Sequence, residues 1–174
     1  MYRACIEADT GDYLTVRNDS NRMVGKAALA FLGAMSSYCI GSNDEETQNW
    51  FSQFEKHSPK PVCSLLEPLD QVYYVGDWNY TEDEYDIFIK RSPEFANFPE
   101  DRFKNAVRQV NEKWTSTTAV LNSIDALLSL LDQVLPVSTY WYNPEHTIPD
   151  LRYIQRTIVF LQERGAEKIR IKFV

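Results

Sequence analysis

Lys168-Ile169-Arg170-Ile171-Lys172-Phe173 alternates charged and apolar side chains without a break. That is the period of a strand with one face in a core and one in water. The same alternation recurs early in the chain, where Tyr2, Ala4, Ile6 and Ala8 fall on one face and Arg3, Cys5 and Glu7 on the other. Asp9-Thr10-Gly11-Asp12 then reads as a turn and residues 13–17 as the second strand of a hairpin. Lys168, Arg170 and Lys172 share one face of their strand, so pairing with Glu7 on a neighbouring strand, and protection of a sheet edge, is their economical role.

Between these strands the pattern turns helical. Asp19 or Ser20 can cap a helix running to about Tyr38, whose interior mixes Ala27, Ala28, Ala30, Gly33 and Ala34 with Leu29, Phe31, Leu32 and Met35. A helix apolar all round belongs in the middle of a fold, and its small residues admit a close neighbour. Gly41 is placed to end it, and Ser42-Asn43-Asp44-Glu45 to cap a second helix carrying Trp50, Phe51 and Phe54 to about His57. Pro59, Pro61 and Pro68 give residues 58–70 the look of an extended connection, and residues 71–78 have strand composition. Residues 87–89 are ambiguous. Phe103, Val107, Val110 and Trp114 mark a third helix, and Val120, Leu121, Ile124, Leu127, Leu128 and Leu131 a fourth. Thr147-Ile148-Pro149-Asp150 starts a fifth, with Leu151, Ile154, Ile158 and Leu161 on its apolar stripe and Gly165 as its stop. The expectation is an α+β fold, a small and mostly antiparallel sheet that includes both terminal strands, covered by four to five helices in a single globular domain, 1–174.

The 174 residues carry 18 Lys and Arg against 25 Asp and Glu, a net charge of −7 that disfavours duplex nucleic acid bound through a broad basic face. No apolar h-region precedes Ala27, and the charge-free residues 27–43 are too short for a comfortable membrane span. Cys5, Cys39 and Cys63 are odd in number and far apart, which reads as reduced, mostly buried thiols in a cytoplasmic protein.

Chemistry-bearing motifs are scarce. His57 and His146 lack ligand partners at helical spacing, and residues 77–88 miss the Gly and the terminal Glu of a calcium loop, so no metal is expected. Glycines are isolated, which excludes the phosphate-cradling fingerprints and leaves no cofactor indicated. Cys63 and His146 make a thiol and base pair only if the fold assembles them.

Two stretches stand out. Asp77-Trp78-Asn79-Tyr80-Thr81-Glu82-Asp83-Glu84-Tyr85-Asp86 concentrates carboxylates and aromatic rings with no Lys or Arg. Thr81 and Glu84 form a capping box, the structural reading. The functional reading makes Asp77, Trp78, Tyr80, Glu82, Asp83, Glu84, Tyr85 and Asp86 a surface that steers and grips a basic protein. Tyr140-Trp141-Tyr142-Asn143-Pro144-Glu145-His146 is the second: Tyr140 and Tyr142 pack under the sheet with Trp141 opposite, or the segment forms an aromatic pocket with Glu145 or His146 as its acid–base group.

The leading expectation is a non-enzymatic domain that binds another protein of basic character. The alternative is a small-molecule-binding protein or enzyme using residues 140–146, and a homo-oligomer is a third. In size, acidity and lack of a catalytic motif the chain resembles the immunity proteins that neutralise bacterial toxins, although no motif transfers a residue role.

Overall fold

The computed structural model describes residues 3–41, 44–73, 80–112, 114–133 and 138–173. Four strands form one antiparallel sheet in the order β2-β1-β4-β3, with β1 Ala4–Ala8, β2 Tyr13–Thr15, β3 Thr115–Ser116 and β4 Lys168–Phe173. Both terminal strands therefore lie side by side at its centre. Ala4 pairs with Phe173, Ile6 with Ile171 and Ala8 with Ile169, and all six side chains are buried on one face. On the other face Glu7 receives Arg170 at 2.8 Å and Lys172 at 3.1 Å, the expected cross-strand pairing, but β4 lies between β1 and β3, so these residues guard no sheet edge. The Arg170 guanidinium holds the Glu7 carboxyl below its ordinary range, against the opposing effect of burial. Arg170 also lies over the ring of Trp114, which follows the third expected helix rather than belonging to it.

Seven α-helices occur among the described residues: α1 Lys26–Cys39, α2 Glu45–Glu55, α3 Val62–Tyr73, α4 Tyr85–Arg91, α5 Glu100–Glu112, α6 Thr117–Gln133 and α7 Pro144–Glu163. None is long and apolar enough to cross a membrane. The excess over the expected count comes from α3 and α4. Pro68 is accommodated inside α3 while Val62, Leu65, Leu66 and Leu69 bury the helical stripe, so residues 62–73 are neither extended connection nor strand. Residues 74–78, the rest of the expected strand, lie outside the described residues.

Helix α1 is central, packed against α2, α3 and α7, as a helix without a polar face must be. It starts later than its sequence promised. The Asn18 side chain accepts hydrogen bonds from the Ser20 and Arg22 N–H groups, a local turn that competes with helix, and Asn21 has φ 60°. Gly25 then admits the chain: its φ is 138°, and a Cβ there would stand 2.5 Å from the Ala4 nitrogen.

The cysteines correct the expectation of reduced thiols. Cys39 and Cys63, 24 positions apart, are joined in a disulfide with a Cα separation of 5.6 Å, while Cys5 is a free, buried thiol. Packing of α1 on α3 brings the pair together, which spacing along the chain could not reveal. The bond also removes the basis on which a reducing cytoplasm was read.

The buried side chains among the described residues form two clusters. The larger joins the sheet's apolar face to α1, α2, α3, α6 and α7, and the smaller consists of Phe88, Phe103 and Val107 on α4 and α5.

Candidate functional site

Among the described residues of the acidic aromatic stretch, Tyr80, Glu82, Glu84 and Tyr85 are engaged by the molecule's own groups. Asp77 and Trp78 lie outside the described residues. Tyr80 sets its edge against Phe88 and Phe103, at 5.6 and 5.8 Å between ring centres. Tyr85 packs on Phe103 and donates its hydroxyl hydrogen to the Phe98 carbonyl at 2.5 Å. Glu82 accepts two hydrogen bonds from Arg108, each 2.8 Å, and that guanidinium holds its carboxyl below the usual range. Glu84 reaches back to the Thr81 N–H at 2.8 Å, as the box pattern anticipates, and α4 follows. Asp83 and Asp86 remain on the surface.

The second stretch is arranged differently from its structural reading. Helix α7 begins at Pro144, earlier than the expected start, because the Asn143 side chain accepts the Glu145 N–H at 3.0 Å and Pro144 suits the first helical position. The three preceding rings therefore form a short approach to a helix rather than a layer under the sheet. Trp141 and Tyr142 both point inward. Trp141 stacks on Phe51 with ring planes 8° apart and meets Trp50 edge-on, and Tyr142 packs on Phe31. Tyr140 alone turns out, 78% exposed, and donates its hydroxyl hydrogen to Asp44 at 2.6 Å.

These residues line an open groove of about 790 Å³ where the N-termini of α1 and α7 meet. Val24, Ala27, Ala30 and the Trp141 and Tyr142 rings give it an apolar floor, and Met23, Lys26, Tyr140 and His146 stand around it. Asp150, on α7, accepts hydrogen bonds from the backbone N–H groups of Gly25, Ala27 and Ala28 at 3.0–3.3 Å. It caps α1 from a distant part of the chain and ties α1 to α7 at the groove. Burial pushes the Asp150 carboxyl above its usual range, against the pull of those three N–H groups and of His146 one turn away.

Three buried donors at this groove, Trp141 Nε1, Tyr142 Oη and Thr147 Oγ1, have no hydrogen-bond partner among the described residues. Tyr142 is pushed up to about 12 by burial and by the charge of Asp132, so its hydroxyl keeps its proton at neutral pH. Beyond the Tyr140 edge of the groove, Asp44 holds the ring, Glu45 and Glu46 follow it exposed at the start of α2, and Glu145 is exposed next to His146, while exposed Lys26 lies on the lining itself. Electrostatically, Glu46 is felt at the Tyr140 hydroxyl.

Cys63 cannot serve His146 as a nucleophile while it is bonded to Cys39. Among the described residues no group of His, Cys, Asp and Glu side chains is disposed to hold a metal ion. Of the residues the sequence places in an aromatic pocket, Tyr140, Trp141, Tyr142 and His146 line this groove and Glu145 does not, while Asp44, Gly25 and Asp150 carry no pocket signal in the sequence. Asp44 and Asp150 were legible only as helix-start residues, and their partners lie 96 and 122–125 positions away.

Comparison with family models, with curated proteins and with solved structures gives no match. Residue roles therefore rest on the chemistry of the groove itself.

Proposed function

We propose that this α+β domain is a non-catalytic binding protein whose contact site is the α1–α7 groove, and that its partner is a protein offering an apolar side chain flanked by Lys or Arg. The observation that carries this reading is Tyr140, an aromatic ring held out at the rim by Asp44 above an apolar floor. Rigid rings of this kind supply contact area at low entropic cost. Carboxylates at Asp44, Glu45, Glu46 and Glu145, in a chain of net charge −7, complement a cationic segment and raise its rate of encounter. Asp83, just before α4, and Asp86, in its first turn, add to that long-range field without forming the site. Inhibition of a basic protein, the role of immunity proteins, is the form of binding this charge favours.

Selection of random displayed peptides against the folded domain tests the reading, with Ala30→Trp as the counter-screen. Ala30 is exposed on the groove floor, so a Trp there fills the groove without disturbing the core. Peptides pairing an aromatic or Leu with Lys or Arg should emerge, and Ala30→Trp should weaken them at least tenfold. Selected peptides that bind Ala30→Trp unchanged would overturn the assignment. So would a groove that takes up only small apolar dyes, which is the small-molecule alternative.

A further inference from the structure

We propose that the Cys39–Cys63 disulfide is a latch on the α1–α3 junction that a dithiol can open in the folded protein, so that the surrounding thiol–disulfide poise sets the stability of the fold. The bond joins the last residue of α1 to the second residue of α3. Cys63 is exposed and Cys39 half-exposed, whereas Cys5 is 1% exposed. An attacking thiolate can therefore reach the bridge without unfolding the chain.

The junction has a second tie that does not depend on sulfur. Glu55, at the end of α2, accepts the Tyr38 hydroxyl hydrogen through one oxygen and the Val62 N–H at 3.1 Å through the other. Tyr38 in turn stacks on Phe51, 5.3 Å between ring centres. With α1, α2 and α3 held at one carboxylate, cutting the bridge leaves the helices together. Reduced and folded is then a state in its own right.

The chemistry is ordinary exchange. A dithiol thiolate attacks Cys63 Sγ, forming a mixed disulfide as the Cys39–Cys63 bond breaks, and the electron pair leaves on Cys39 Sγ, which takes up a proton. The second dithiol thiolate then attacks its own sulfur in the mixed disulfide and releases Cys63 as thiolate. Two electrons pass to the protein and the reductant leaves as a cyclic disulfide. Opening a loop closed over 24 positions frees the unfolded chain, and Tm should fall by roughly 5–15 °C.

The native protein is treated with dithiothreitol at 25 °C, alkylated with iodoacetamide and mapped by peptide mass spectrometry, with buried Cys5 reporting global unfolding. Labelling of Cys39 and Cys63 ahead of Cys5, with the stated drop in Tm, is the expected result. The double variant Cys39→Ser/Cys63→Ser should match the reduced Tm and ignore dithiothreitol, and Glu55→Ala should lower Tm further in reduced than in oxidised protein. Simultaneous labelling of all three cysteines, labelling of Cys39 and Cys63 before any reductant, or equal Tm in both states would overturn the proposal.

Discussion

Two aromatic, acidic segments of this chain meet opposite fates, and the size of the core behind each explains why. Among the described residues, the segment leading into α4 faces a cluster in which Phe88, Phe103 and Val107 are buried, and Tyr80, Tyr85 and Phe98 pack against it and close it. Rings that composition marks as a contact surface are consumed as walls. The segment leading into α7 faces the main core, where Phe31, Trp50 and Phe51 already surround Trp141 and Tyr142. That core has no use for Tyr140, which is left at the surface. A small core spends its aromatic residues and a large one can spare them.

The sharpest way to break the comparison is Phe103→Ala. Removing the central ring of the smaller cluster should cost about 3–5 kcal/mol locally, and amide exchange should rise across α4 and α5 while α1 and α7 keep their protection. Uniform loss of protection would mean the two clusters behave as one, and the distinction between them would fall.

Asp150 tests the other side. Asp150→Ala orphans three N–H groups at the start of α1 and should destabilise by about 1–2 kcal/mol, with groove-lining amides shifting in NMR spectra. Asp150→Asn keeps an acceptor and removes the buried charge, so it should retain most of that stability. The sign with pH follows from the raised carboxyl. The folded state binds the proton more tightly than the unfolded one, so the Asp150 contribution is full below the ordinary value of 3.8 and declines as pH rises through the folded value. Wild type should therefore lose stability relative to Asp150→Asn over that window in denaturant titrations; a gain would reverse the assignment.

The smallest effect belongs to Tyr140→Phe. Losing a hydroxyl at an exposed rim should leave Tm unchanged, because the ring contributes nothing to the core. It should nevertheless weaken selected peptides several-fold by freeing the ring from Asp44. A clear fall in Tm would place Tyr140 among the structural rings after all.

How far the sequence could be read tracks the range of the interactions involved. Alternation at Lys168–Phe173 and around Ile6 depends on neighbours two positions apart, so the sheet and the Glu7–Arg170 pairing were legible. Helix α3 was not, because Pro68 outweighed the apolar stripe of Val62, Leu65, Leu66 and Leu69, yet tertiary burial carries the proline. The disulfide and the groove escaped for a different reason. Cys39 meets Cys63, Gly25 meets Asp150 and Asp44 meets Tyr140 only once α1 has been packed by its neighbours. Aromatic content alone could not separate Tyr80 from Tyr140, since the difference lies in how much core stands behind each.

Chemical-shift mapping of a selected Lys- or Arg-flanked aromatic peptide on the isotope-labelled domain decides between the two segments. Perturbations centred on Gly25, Ala27, Ala30, Tyr140, Asn143 and His146 are the predicted result. Perturbations confined to residues 81–86, with the groove amides unmoved, would contradict it.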